Sequence, residues 1–515
     1  MSWSEGYVSD VDYTQNYYRE LCPEMTRLAL LHRGLGSAPL DRPRYLELGF
    51  GQGVSLNVHA AAGGGEYYGT DFSPSHTLRA QAMAEASGAS VTLFDSSFAE
   101  LLDADLPPMD AIVMHGVWSW ISSENRAIIV RVLRKLLRPG GVVHLSYNVL
   151  PGWSQMLPIQ KLLRLHSERA GSMGTSSVQR LQGAVDFLHA LDGAGARYFR
   201  NNPIAQKRLA SMKDKDPRYL AHEFLNEHWM APTFAEVAEQ LAGAKLTYAA
   251  SAELSEHFDG LHLTPESQAA LRSIPDLWLR ETTRDFLVGQ QFRRDLFVLG
   301  SLRLSPSELQ ERSGALRFVL TTEPSAVTLE VKGALGAAKL QDAVYRPVLD
   351  ALAEGGVVAH SVRQLHDRVS KAGITAVQVL EALLLLTAKG DALPVQPDEI
   401  RDGARSRTTR LNRHLLGTAK HSGDVTHLAS PLTGGGVVVS RIEQLFLLAR
   451  SSERAAPTEW AKYAWGVLSE QGKRLLRDGK RLDDPDDNLR EMERQATEFA
   501  EKRLPVLRAL DVAED

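Results

Sequence analysis

An acid at the end of an apolar run, followed by glycines at every second position, is the part of this chain whose chemistry is plainest. In YLELGFGQGVSLN, residues 45–57, Glu47 precedes Gly49, Gly51 and Gly53. Such glycines let a chain turn sharply and bring its backbone against a ligand. Their spacing is G-x-G-x-G, not the G-x-G-x-x-G of a dinucleotide cradle, and a pyrophosphate has little use for the acid. A cationic ligand does. The expected cofactor is therefore S-adenosylmethionine, whose amino group and sulfonium are positive and which carries no phosphate. Asp71 closes the next apolar segment, EYYGT, at about the 20-residue spacing at which an acid reaches a ribose. A third segment, SVTLF, closes on Asp95 and Ser96, a polar pair suited to hydrogen bonds from an adenine amino group.

Two further segment ends carry aromatic and proton-accepting groups. HGVWSWI brings His115, Trp118 and Trp120, and SYNVLPGW brings Tyr147, Asn148 and Trp153, beside the expected methyl group. Methyl transfer from a sulfonium needs an in-line lone pair, so the protein must orient the acceptor, exclude water and, for an ammonium, remove a proton. Aromatic faces hold a sulfonium or a charged amine by cation–π attraction. Asn148 would orient an amine, and His115 would accept a proton near neutral pH. Core packing is the competing role for each of these side chains. His222, Glu223 and His228 lie close in sequence, but their spacing fits no metal motif and they read as structural.

For these ends to meet, their segments must be parallel strands with one shared carboxyl edge. Apolar runs at 45–48, 66–70, 90–94, 110–115 and 141–147 alternate with helical stretches at 54–62, 73–88 and 125–137, as such a sheet requires. Residues 155–225 carry no strand signal. A helix at 233–242 and strands at 246–250 and 295–300 follow. Ahead of the glycines, YVSDVDYTQNYYREL leads into a helix; Tyr13, Asn16, Tyr17 and Tyr18 either form a lid over the cofactor or pack that helix onto the sheet.

With YVSDVDYTQNYYREL, ELGFGQG, GTDFSP, HGVWSWI, RPGGVVHLSYNVLPGW, EFLNEHWMAPTFAEVAEQLAGAKLTY and ETTRDFLVGQQFRRDLFV, over residues 7 to about 300, the chain resembles the class I S-adenosylmethionine-dependent methyltransferases. More narrowly it is similar to the bacterial group with an appended methyltransferase regulatory domain, whose best-known members are protein lysine methyltransferases acting on outer membrane protein. The resemblance implies an α/β fold with a Rossmann-like seven-stranded sheet built from 1–154 and 226–304, its last strand antiparallel. Residues 155–225 are then a helical insertion capping the substrate. Together with the reading of the strand ends, the resemblance leaves Tyr17, Glu47, Gly49, Gly51, Gly53, Asp71, Phe72, Asp95, Ser96, His115 and Gly116 as expected cofactor contacts, with His115, Trp118, Tyr147 and Asn148 as catalytic candidates and no metal. The acceptor that the resemblance implies is a protein lysine, with a peptide-derived or other small natural product as the alternative. Phe50 departs from the alanine or cysteine more usual in the turn.

Composition sets the bounds. The 515 residues are 43% apolar and 23% charged, ordinary for a globular protein, and the formal charge of -5 makes nucleic acid a poor default partner. The single cysteine, Cys22, excludes an internal disulfide and reads as a small buried side chain. No run reaches the roughly 20 apolar residues of a membrane helix, and the opening MSWSEGYVSD is acidic, so a cytoplasmic location is expected. Residues 305–396 read as a winged-helix-like unit for protein contacts, with strands at 316–321 and 326–331; 397–408 reads as a polar linker, and 397–515 as mostly helical. Arg284, Asp285, Arg293, Arg294 and Asp295 read as surface or interdomain ion pairs, with a homodimer as one outcome. A protein that senses the ligand and works through its C-terminal half is the non-enzymatic alternative.

Overall fold

The computed structural model describes residues 5–37, 40–171, 174–452 and 454–514; residues 1–4 of the acidic opening stretch lie outside them. In the strand β1, Arg44–Leu48, everything after Arg44 is buried, glutamate included. A strand buried on both faces needs cover above and below. That cover is met by helices on both sides of a seven-stranded sheet whose strands are β1, β2 (Glu66–Thr70), β3 (Val91–Phe94), β4 (Met109–Met114), β5 (Leu137–Asn148), β6 (Leu246–Ser251) and β7 (Phe292–Leu299), in the order β3-β2-β1-β4-β5-β7-β6. The first five are parallel, and β7 runs antiparallel between β5 and β6. Alternate residues divide between two cores, with Leu46, Ile112 and Val143 on one face and Tyr45, Val113 and Val142 on the other. The sheet crosses from β1 outward to β2 and β3 on one side and to β4 on the other, which opens a crevice at the carboxyl edge.

The expected strands form with small shifts of their ends. The largest concerns β5, which begins at Leu137 and takes in the RPGG stretch expected to stop the preceding helix, α4 in the series α1 (Pro23–His32), α2 (Val54–Ala62), α3 (Pro74–Ser87) and α4 (Ser123–Leu136). A register irregularity between Met109 and Ala111 accommodates Pro139, which has no amide to donate. Between β5 and β6 the chain forms α5 (Leu157–Arg169), α6 (Ser177–Gly193), α7 (Pro203–Ser211) and α8 (Pro217–Phe224), which share an apolar cluster of their own including Leu163, Leu181, Leu209 and Phe224.

A buried guanidinium joins the antiparallel strand to its neighbours. Arg293 of β7, opposite Tyr147 of β5, donates to Asp295 (2.8 Å), Asp285 (2.7 Å) and Glu281 (3.0 Å). The two latter acids lie one turn apart on the helix α10, Leu277–Val288, which follows α9, Phe234–Ala242. Tyr147 donates to Asp295 at 2.6 Å, and the Phe234 ring lies 4.4 Å from the guanidinium carbon. Burial and the nearby Asp295 push the Asp285 carboxyl up to about 7 against the pull of Arg293. Asp285, Arg293 and Asp295 are thus core groups and not the surface pairs expected, because α10 packs its acidic face onto the sheet.

The C-terminal half is held to the sheet's helices by a segment that composition alone marks as a linker. Residues 398–418 form one helix, α14 (Asp398–Thr418), after α11 (Asp342–Ala353), α12 (Val362–Val369) and α13 (Ala376–Lys389). Its Ile400, Ala404, Thr408, Leu411 and Leu415 are buried at helical spacing. Arg407 donates to Gly63 O (2.6 Å), Gln396 to Ala62 O (2.8 Å) and Arg410 to Ser87 O through two nitrogens (2.9 and 2.6 Å). These carbonyls end α2 and α3, which leave them without helical partners. The two strands expected at 316–331 also part company. Arg317–Leu320 pairs with His360–Ser361 and Ala392–Val395, whereas Glu330–Gly333 forms a hairpin with Gly336–Lys339.

Replacing Arg293 by methionine leaves two buried acids, Asp285 and Asp295, and the half-buried Glu281 without their common donor. The expected loss is about 3–5 kcal/mol, read by calorimetry as a lower melting temperature; an unchanged melting temperature contradicts this account.

Candidate functional site

The crevice holds a cavity of about 510 Å³ whose wall includes the glycine turn, the ends of β2, β4 and β5, the N-terminal segment and the insertion. Gly49 has φ +71°, and a Cβ there would meet Val117 at 2.6 Å; Gly51 has φ +57° and faces open space. The first glycine thus admits a close approach of β4's loop, and the second exposes backbone to the cavity. Gly53 opens α2 at the same wall. Phe50 is accommodated because β2 has glycine at 69, where a Cβ would lie 2.8 Å from the phenyl ring.

Glu47 is 4% exposed, and its Oε2 has no partner among the described residues. Burial, with the Asp71 charge adding, pushes its carboxyl up to about 8. Asp71 accepts from Gly51 N at 2.8 Å and Ser73 N at 3.0 Å, and its Oδ1 lies 3.1 Å from His76 Nδ1. A carboxylate has room for further donors. Phe72, Ser96 and Gly116 also line the cavity, and Gly116 N donates to Ser146 Oγ at 2.9 Å. An orphaned buried carboxyl oxygen, a turn open to its ligand and an acid beside them suit S-adenosylmethionine, with its ammonium and ribose.

The N-terminal segment crosses this cavity as a strap. Tyr7, Tyr13, Asn16 and Tyr18 face it. The strap is tied to the insertion and the stretch just after it by Asp10, which accepts from Ser177 N (2.7 Å) and Oγ (2.6 Å), by Val8 N on Asn226 (2.9 Å) and by Val11 O on His222 (2.8 Å). To the sheet's helices it is tied by Asp12 with Arg79 (2.6 Å), Gln52 on Tyr13 O (3.0 Å) and Tyr18 N on Ser55 (2.8 Å).

Four residues expected at the site lie elsewhere. Tyr17 turns away from the cavity; its hydroxyl accepts from Gly436 N (2.7 Å) and lies 3.1 Å from His59 Nε2, so it fastens the strap to the C-terminal half. Asp95 is exposed and is not part of the cavity wall, which passes over Ser96, Ser97 and Phe98 instead. Trp118 is fully buried in the core while Trp120, two residues on in a 3-10 turn, faces the cavity. Tyr147 is committed to Asp295 because strand alternation turns it away from Asn148's side.

His115 does line the cavity, stacked on Tyr18 with ring centroids 3.6 Å apart and with Nδ1 3.0 Å from Ser146 Oγ. Burial lowers its pKa to about 4, so it stays neutral and is a poor proton acceptor near neutral pH. The sequence reading missed the stronger base. Glu223 of α8, taken there as structural together with His222, lines the cavity and is 5% exposed. It accepts from Asn148 Nδ2 at 3.2 Å and from Tyr219 at 3.3 Å, and burial pushes its carboxyl up to about 7 against those bonds. Its signal was an acid between apolar residues in AHEFL, on the face that α8 buries. Metal spacing was the wrong test for it. Among the described residues no group of three or more His, Cys, Asp or Glu is arranged to hold a metal ion, and no single helix is long and apolar enough to cross a membrane.

Comparison with known proteins adds family models and relatives. A family described as "Methyltransferase domain" matches residues 46–143, and one described as "Predicted methyltransferase regulatory domain" matches residues 216–299. An uncharacterized protein of Synechocystis, sll1526, is 37% identical over 516 residues, covering 100% of both chains. The uncharacterized protein RP028 of Rickettsia prowazekii is 32% identical over 199 residues, 38% of this chain and 77% of that relative. The fold is similar to that of PKMT2 from Rickettsia typhi in complex with AdoHcy, with a TM-score of 0.68 at 20% identity over 97% of this chain and 99% of the other.

Two expectations test the cofactor contacts. Glu47 must lose its proton to pair with an ammonium, so affinity for S-adenosylmethionine should rise with pH toward about 8. It should fall beyond, where the amine itself loses its proton at about 8. Glu47→Gln should abolish the rising limb in isothermal titration. Asp71→Ala should weaken binding about tenfold or more; wild-type affinity would remove Asp71 from the ribose.

Proposed function

Because the chain belongs to the class I S-adenosylmethionine-dependent methyltransferases that carry a methyltransferase regulatory domain, we propose that it methylates the side-chain amine of a lysine in a protein. The observation that carries this reading is Glu223, a buried carboxyl poised near neutral pH beside Asn148 on the acceptor side of the cavity. A general base works best when its pKa lies near the working pH. A lysine arrives as an ammonium and has no lone pair until a proton leaves it. Oxygen acceptors of ordinary alcohol acidity gain much less from a carboxylate of this strength.

On this reading Glu47 holds the cofactor's ammonium, Asp71 its ribose, and Ser96 and Phe98 border its base. Bound S-adenosylmethionine supplies an electrophilic methyl on a positive sulfur. Glu223 takes the proton from the lysine ammonium, and Asn148 and Tyr219 keep the carboxyl in place through their hydrogen bonds to it. Neutral His115, stacked on Tyr18, closes the wall near β5 without adding charge that would repel the sulfonium. The strap excludes bulk water, so that the positive sulfur and the amine meet in a medium where orientation is set by the protein.

The most direct test follows tritium from labelled S-adenosylmethionine into a cell lysate separated by size. Label in large species, recovered as methyl-lysine after hydrolysis, is the expected result; label confined to small molecules favours a natural-product acceptor, and no transfer favours a ligand-sensing role. In steady-state assays Glu223→Gln should lower kcat by about a hundredfold or more with S-adenosylmethionine affinity kept. Because the base form is the ionised one, wild-type kcat/KM should rise with pH through about 7, and this inflection should vanish in the variant.

A further inference from the structure

The insertion brings positive charge to the acceptor side of the cavity. Arg208 of α7 donates through Nη2 to Gly152 O at 3.1 Å, and its guanidinium carbon lies 5.1 Å from the centre of the Trp153 ring. Its Nη1 is buried and has no partner among the described residues. Lys215, a few residues on, stands with Nζ 5.8 Å from the centre of the Tyr219 ring. Both line the cavity, and the acid that the insertion sets among them is Glu223. The insertion's own contribution to the wall is thus two cations against one acid, a surplus of positive charge.

A buried guanidinium N–H without a partner is costly, and the missing bond is one that a substrate can supply. A guanidinium binds anionic oxygens such as those of a carboxylate or a phosphate more strongly than neutral acceptors, and of these a carboxylate is the one that protein side chains carry unmodified. The Trp153 ring and the bond to Gly152 O hold the guanidinium in one orientation, so Nη1 is directed and not merely present. An ammonium arriving alone would add to the positive surplus, whereas an ammonium with a neighbouring carboxylate would bring the compensating charge with it.

We propose that Arg208 selects acceptor lysines that have an aspartate or glutamate beside them in the sequence, its Nη1 receiving that carboxylate while the amine points to Glu223. Lys215 lies near the same path and reinforces the choice through charge. This inference rests on the lysine reading above and adds a recognition rule to it.

Two synthetic peptides that are identical except for Glu or Gln next to their single lysine separate the possibilities, assayed with the full chain and tritiated S-adenosylmethionine. The Glu peptide should have the higher kcat/KM, by about tenfold or more, the range of one hydrogen bond to a charged group. Arg208→Gln should erase the difference while S-adenosylmethionine affinity by calorimetry stays as in the wild type, which also shows that the variant is folded. Arg208→Lys should restore part of the preference. Equal kcat/KM for the two peptides with the wild type, or a Glu preference that persists in Arg208→Gln, overturns the role of Arg208 and leaves the lysine reading standing. Turnover of neither peptide by an enzyme that still binds S-adenosylmethionine and labels small molecules in lysate overturns both.

Discussion

Glu47 sits at the end of a strand covered on both faces, with one carboxyl oxygen lacking a partner among the described residues, and this sets the terms for everything around it. Burial of a charge in such a place is unfavourable enough that the group keeps its proton up to about pH 8. The arrangement becomes favourable once a cation is delivered to it. The glycine turn leaves space beside the carboxyl, Asp71 braces that turn through the amide of Gly51, and the strap covers both. A methyltransferase of this kind must bind a positive cofactor without phosphate groups to grip, and an acid destabilised in the empty state is a direct physical means of doing so.

The cavity is assembled from distant parts of the chain. The strap, residues 5–18, reaches the insertion through Asp10, the sheet's helices through Asp12 and Tyr18, and the C-terminal half through Tyr17. Its closure therefore draws on contacts from three regions at once. α14 does similar work from the other side, with Arg407 and Arg410 capping the ends of α2 and α3, the first of which begins at the glycine turn. The C-terminal half thereby braces the helices that support the cofactor edge, although none of its described residues lines the cavity.

Position on a strand separates groups that composition cannot. Tyr147 and Asn148 are neighbours, yet one belongs to the Arg293 cluster under the sheet's antiparallel end and the other to the cavity. Trp118 and Trp120 divide likewise between core and cavity. The same holds for acids. Glu223 and Asp285 are both buried and both pushed up to about 7, but Asp285 has a guanidinium for a hydrogen-bond partner, whereas Glu223 accepts from the neutral Asn148 and Tyr219 and lines the cavity.

What the sequence determined by itself was local and periodic. Apolar runs ending in Glu47, in Asp71 and in the pair Asp95 and Ser96 marked parallel strands and their carboxyl edge, and G-x-G-x-G after an acid pointed to a cationic cofactor. The buried spacing Ile400, Ala404, Thr408, Leu411 of α14 was equally present, but its Arg, Asp and Gly content concealed it. Only the tertiary structure decided which way each side chain faces at the strand ends, that Tyr17 serves the C-terminal half and Asp95 the solvent, and that Glu223, some 75 residues after Asn148, meets it across the cavity. Strand and helix periods are set by neighbours along the chain. A carboxyl's pKa and partners are set by whatever the fold packs against it, and although AHEFL within α8 marks an acid on a buried face, no spacing there could announce that it would lie opposite the end of β5.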